Sequence, residues 1–203
     1  MADGDEPPSE GTAMGAEAIP DWMRIPQGQW TADDLDLVPE EVGRCEVLDG
    51  ALIVMSPQRA FHSVVIRRLA NLLEFAAPPG WSVLTEMTVR IDDRNRPEPD
   101  IVVLRPGFAV ERSTTTCCPP DIALAVEVVS PDSVLRDRVI KPEKFAAAGI
   151  PQYWRIEDEA GATVAHLFEL DRRGTYVETA VERGKIRLDQ PFPHFLDVDR
   201  LYP

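Results

Sequence analysis

The chain has 203 residues, 44% hydrophobic and 28% charged, with a net charge of −14 at neutral pH. That suits one domain of ordinary size with a real core and a soluble globular composition. No apolar stretch approaches the length of a membrane span, and the acidic balance argues against broad, non-specific nucleic-acid binding through bulk electrostatics.

Residues 1–25 are rich in Pro, Gly, Ala and acids. Asp3, Asp5, Glu6, Glu10 and Glu17 occur there before any Lys or Arg. We expect a disordered acidic tail over 1–25 and a folded domain over 26–203. No basic segment followed by an apolar one occurs near the start, so no secretory signal is expected. Thr31-Ala-Asp-Asp-Leu reads as a short helix start. Residues 44–49 and 51–56 read as strands joined at Asp49-Gly50, a hairpin signal. The clearest helix is 60–76, with Phe61, Val65, Leu69, Leu72, Leu73 and Ala76 on one stripe. A strand is expected over 81–91 and another over 100–104, followed by a loop to about residue 120. A strand over 121–129 and a helix ending at Ala148 come next. Gly149 suits the position after the helix and Pro151 stops it. Short strands over 153–156, 164–170, 176–181 and 185–188 complete the pattern. No internal repeat is visible. The order implies an α/β fold, a mixed central sheet with helices packed on it.

Cys45, Cys117 and Cys118 include an adjacent pair poorly placed to bridge. With no C-x-x-C spacing and only His62, His166 and His194, no structural zinc pattern emerges, and a reducing cytoplasm is the simplest compartment.

One residue is out of keeping with its surroundings. Glu127 lies inside the apolar run Ile122-Ala-Leu-Ala-Val-Glu127-Val-Val129, which reads as a strand covered on both faces. An ionised carboxylate loses its hydration there, at a cost of several kcal/mol unless a cation or hydrogen bonds replace the water. A metal ion, a lysine or an arginine should therefore sit beside it. A second carboxylate, Asp100, follows Arg96-Pro-Glu-Pro and opens the strand Ile101-Val-Val-Leu104, since the prolines cannot belong to a central ladder. Lys141 shares a helical stripe with Phe145 and Ala148, which should face the core, so it points inward as well. Pro142 biases Lys141 away from helical geometry and leaves open a place in the entry turn. Arg90, Arg94 and Arg96 precede Asp100, and Arg136, Arg138, Lys141 and Lys144 follow Glu127. These basic groups either line the carboxylates or sit in solvated loops. Residues alone leave a buried ion pair without catalysis as an alternative for Glu127.

These pieces, in order, resemble the PD-(D/E)XK nuclease superfamily, and more fully the Uma-two family of restriction-endonuclease-like proteins within it. The residues that carry the resemblance are Cys45-Glu-Val-Leu-Asp-Gly50 with Leu52, His62, Arg96-Pro-Glu-Pro-Asp100-Ile-Val-Val, Val126-Glu-Val-Val-Ser-Pro131, Asp137-Arg138, Lys141, Phe145-Ala-Ala-Ala-Gly-Ile-Pro151 and Tyr153-Trp154. The resemblance covers about 25–200. The superfamily's usual lysine lies two residues after the glutamate, where this chain has Val129. The family it resembles carries its lysine on the following helix, at the place of Lys141.

The resemblance implies a restriction-endonuclease-like fold and phosphodiester hydrolysis with Mg²⁺ or Mn²⁺. Asp100 and Glu127 would hold the ion, with the backbone carbonyl of Val128. Lys141 would orient or help activate the attacking water and offset charge on the phosphate. Glu46 would lie near the metal, the alternative being a solvent-facing strand residue. His62 would contact phosphate or carry a proton, the alternative being a cap or surface residue. Glu86 is a weaker candidate, read as an edge or solvent-facing residue, and Tyr153-Trp154 suit packing better than base stacking. Trp22, Trp30 and Trp81 give no functional signal. The implied partner is a nucleic acid, DNA first, with no membrane. A homodimer would supply the two sites that cutting both strands of a duplex calls for. A nuclease-fold binding module that does not cut, and a metal-dependent hydrolase of small phosphate compounds, remain as alternatives.

Overall fold

In the computed structural model the described residues are 28–203. The tail expected over 1–25, and Trp22, lie outside them. Thr31 and Asp34 exchange hydrogen bonds at the expected helix start, Thr31 N–H to Asp34 Oδ2 at 2.8 Å and Asp34 N–H to Thr31 Oγ1 at 3.3 Å. The turn they open, Asp34–Leu37, is 3₁₀ in form. Asp49 and Gly50 take positive φ, 52° and 79°, which a two-residue hairpin turn matched to strand twist requires. They join β1 (Cys45–Leu48) to β2 (Ala51–Val54), with Cys45 opposite Val54. Helix α1 (Ala60–Ala76) has the expected bounds and buries Val65, Ile66, Leu69 and Leu73.

The single strand expected over 81–91 is broken. β3 (Ser82–Thr85) ends where Glu86 takes φ 56°, and β4 (Thr88–Val89) runs elsewhere. The Glu86 N–H donates to the Asp100 carbonyl and the Val89 N–H to the Pro97 carbonyl, at 3.1 and 2.8 Å. The chain thus leaves the main sheet at Glu86, a turn that alternation of side chains does not reveal. β5 (Ile101–Leu104) follows. The loop expected up to residue 120 contains β6 (Thr116–Cys117), which pairs in parallel with β4. β7 (Ile122–Val128) is buried at every position, which accounts for its lack of alternation.

A π-helical turn, Arg136–Ile140, leads into α2 (Lys141–Ala147). Pro142 has no N–H to give, and its ring would crowd the carbonyl four residues back in a regular helix. The wider turn just before it absorbs that misfit. Lys141 keeps helical dihedrals, φ −64° and ψ −45°, so it is part of a continuous helical path rather than an extended entry. Gly149 ends the helix at φ 81°. β8 (Gln152–Glu159), β9 (Ala162–Leu170), β10 (Tyr176–Glu182) and β11 (Lys185–Leu188) follow, the first longer than expected. β12 (His194–Asp197) was not anticipated, and it pairs with β11.

The central sheet has six strands in the order β10-β9-β8-β7-β5-β3. Only β7 and β8 run parallel, because α2 carries the chain back between them. Leu124, Val126 and Val128 meet the α1 residues on one face, while Ala125 packs with Phe145 and Tyr153 on the other. By alternation Glu127 shares the Ala125 face, and Asp100, two residues before Val102, lies on it too. Both acids therefore point toward α2.

Leu69 is fully buried and Phe75 is 95% exposed on the same helix. Leu69→Ala is expected to lower stability by about 2–5 kcal/mol, and Phe75→Ala to stay within about 0.5 kcal/mol of the parent, both read from urea denaturation midpoints.

Candidate active site

β5 and β7 are antiparallel neighbours, with Ile101 opposite Val126. Asp100 opens one strand beside the point where Glu127 closes the other. The first residue of α2 completes the group. Lys141 is 2% exposed, and its Nζ lies 2.8 Å from Glu127 Oε1, 3.1 Å from Glu46 Oε2 and 3.9 Å from Asp137 Oδ1. It also donates to the Glu98 carbonyl at 3.3 Å. The positive group that Glu127 requires is therefore a lysine.

Asp100 is anchored from several sides. Its Oδ2 accepts the Val128 N–H at 2.7 Å and lies 3.1 Å from His62 Nε2. Arg44 approaches its Oδ1 at 3.7 Å while binding Glu98 at 2.5 Å and Glu86 at 3.0 Å. Glu46 is fully buried rather than solvent-facing, and its Oε2 also accepts the Glu98 N–H at 3.1 Å. Glu46 thereby links the hairpin, the Pro-Glu-Pro segment and Lys141. Asp137 accepts a hydrogen bond from Ser133, and its backbone carbonyl accepts the Tyr153 hydroxyl at 2.6 Å. The cleft opening onto this cluster is also lined by Gln58, Arg59, Ser130 and Arg136.

The cluster holds charge and protons unevenly. Burial works against the Lys141 ammonium, but Glu127, Glu46, Asp137 and Asp100 outweigh it and raise its pKa, so Lys141 stays charged. Burial drives Glu127 well above the usual carboxylate range, with Lys141 opposing and Asp137, Asp100 and Glu46 adding to the rise. Burial likewise pushes Asp137 up to about 6, against the pull of Lys141 and Ser133. Burial would raise Asp100 as well, yet the His62 contact, the Lys141 charge and the Val128 N–H together hold it below its ordinary value.

The donor set suits a hard cation. Five buried carboxylates, Glu46, Glu98, Asp100, Glu127 and Asp137, face four permanent cations, Lys141, Arg44, Arg59 and Arg136. Glu46 Oε1 and Asp137 Oδ1 are buried with no hydrogen-bond partner among the described residues. Surplus negative charge and unsatisfied carboxylate oxygens are what Mg²⁺ or Mn²⁺ meets in an oxygen-ligand site.

All the candidates Glu46, His62, Asp100, Glu127 and Lys141 fall in one cluster, with Val128 against Asp100. Of the basic residues near them in sequence, Arg136 joins it, 3.5 Å from Glu46 Oε1, and most of the others do not. Arg90 pairs with Asp33 and Asp93, buried Arg96 with Asp36 and Thr88, and Lys144 with Asp49. Arg138 pairs with Glu157. Glu86 sits at a turn rather than mid-strand, with its side chain 44% exposed and paired with Arg44. Tyr153 and Trp154 are buried on opposite faces of β8 and serve packing. Sequence reasoning gave no role to Arg44, Glu98 or Asp137. Two were legible by spacing, Glu98 two residues before Asp100 and Asp137 four before Lys141. Arg44 carries no such signal.

The Uma2 family model, described as "Putative restriction endonuclease", matches residues 31–198. The chain belongs to the Uma2 family. Among solved structures it is similar to one titled as a "putative nuclease belonging to DUF820" from Anabaena variabilis. The identity is 18%, with 84% of this chain and 96% of that chain covered and a TM-score of 0.65. At that identity the likeness establishes a shared mixed α/β fold. No curated protein matches the chain.

In this Uma2 chain, removing the lysine should strand its carboxylates. Lys141→Met is expected to cost about 3–5 kcal/mol at pH 8. Because Glu127 already binds its proton more tightly folded than unfolded, its ionisation opposes folding. The deficit should therefore shrink as pH falls toward 5. Denaturation midpoints across pH check this, and Glu127→Gln with Lys141→Met should recover much of the loss.

Proposed function

We propose that the chain is a metal-dependent endonuclease of the PD-(D/E)XK type that hydrolyses phosphodiester bonds of DNA. The observation that supports this most is the convergence of Asp100 and Glu127 from adjoining strands, with Lys141 Nζ 2.8 Å from Glu127. Asp100 and Glu127, with the Val128 carbonyl, would hold Mg²⁺ or Mn²⁺. When bound, the ion supplies positive charge that acidifies a water and neutralises the phosphate.

The chain's own residues divide the remaining work. In hydrolysis a water oxygen forms a bond to phosphorus and the bond to the leaving oxygen breaks. The water's proton passes to a base, and the leaving oxygen gains one. Lys141, held protonated by the acids around it, does not take the water's proton. It orients the water and donates positive charge to the phosphoryl oxygens. Glu46 and Asp137 hold the ammonium in place. His62, 3.1 Å from Asp100 with Nδ1 buried and unpartnered among the described residues, is suited to carry a proton. Val129 at the usual lysine position favours a second reading, a nuclease-fold module that binds without cutting. Lys141 reaching Glu127 from α2 supplies the missing amine and weighs against it. No helix among the described residues is long and apolar enough to cross a membrane. The three cysteines are unbridged, which suits a cytoplasmic setting, and a homodimer would bring two such sites together.

The test is cleavage of supercoiled plasmid and of single-stranded DNA at low salt with Mg²⁺ or Mn²⁺. Glu127→Gln and Lys141→Ala are each expected to lower the rate by about 10² or more, and chelation to abolish it. Equal cleavage by the parent and Glu127→Gln would overturn the assignment.

A further inference from the structure

A groove adjoins the candidate active site and shares Arg59, His62 and Ser130 with it. One wall is apolar, built from Phe61, Val129, Pro131 and Val134, and the far edge carries Arg138 with the acids Glu157 and Asp158. Val134 is 37% exposed, and Phe61 and Val129 are half-buried. An apolar wall continuous with a phosphate-directed cleft is chemically suited to the flat face of a base rather than to backbone.

The charge distribution points the same way. Arg90, Arg96, Arg138 and Lys144 are each tied to an acid, and the chain carries −14 overall. A duplex held through its outside needs a track of cations along many phosphates. Here the cations directed at the cleft are few, chiefly Arg44, Arg59, Arg136 and Lys141. Affinity must then come largely from apolar contact with a base, and a paired, stacked base cannot offer its face.

We propose that this groove receives an unpaired base next to the scissile phosphate, so that single-stranded nucleic acid is the preferred ligand. Arg59 bridges groove and cleft and meets the phosphate that joins the two. This specifies the substrate class of the nuclease reading and rests on that reading for the phosphate's position.

The experiment is fluorescence-anisotropy binding of the full chain at low salt to three labelled probes of one length: an oligothymidylate, the same backbone with abasic sites, and a duplex. The oligothymidylate is expected to bind about tenfold or more tightly than either of the others, the size of one base-stacking contact. Val134→Asn, a neutral change at an exposed position, should erase most of the difference over the abasic probe. Equal binding of base-bearing and abasic strands, tighter binding of the duplex, or an unchanged preference in Val134→Asn would overturn the proposal. Base-dependent binding without any cleavage by the parent would instead sink the nuclease reading and leave the groove assignment standing.

Discussion

An ammonium group buried among carboxylates organises the middle of this molecule. Lys141 ties together a hairpin through Glu46, the end of a central strand through Glu127, and its own helix through Asp137. None of these groups is tolerable alone at that depth, since each unpaired charge would cost several kcal/mol. Each therefore depends on the others being in place. The π turn before Pro142 sets where the lysine enters, and the one parallel pair of the central sheet exists because α2 must cross back over the sheet to deliver it.

The cluster is also left short of positive charge. Asp100 is held ionised by its neighbours, while Glu127 and Asp137 resist ionisation because burial dominates. A site built only for stability would pair its acids fully. This one leaves two buried carboxylate oxygens without a hydrogen bond among the described residues, held only by longer contacts to Arg136 and Lys141, and opens onto a cleft. That contrast is what supports the proposal of a divalent-ion pocket over a structural ion pair at Glu127.

Much of this was legible in the sequence for identifiable reasons. Glu127 announced itself because an acid in an unbroken apolar run must be compensated, and Asp49-Gly50 because only a few residues accept positive φ at both turn positions. Helix α1 showed its stripe. What escaped was set by tertiary context. The break at Glu86 is made by hydrogen bonds to the Asp100 and Pro97 segment, which alternation cannot report. β6 has two residues, too few for any period. β12 lies among prolines that mask its strand character. The basic residues before Asp100 cluster with it in sequence, which left open whether they line the carboxylates, yet the fold turns Arg90 and Arg96 toward acids elsewhere. Arg44 had no signal because its partners, Glu86, Glu98 and Asp100, come from segments that meet only once the hairpin docks.

The central claim is that the two acids converging beside Lys141 bind a divalent ion. Titration of the full chain with Mn²⁺, followed by electron paramagnetic resonance of the free ion, addresses it without reference to any substrate. The expected result is saturable binding of one ion per chain, weakened about tenfold or more in Asp100→Asn while far-ultraviolet circular dichroism stays unchanged. Absence of saturable binding, or equal binding by the parent and a folded Asp100→Asn, would contradict it.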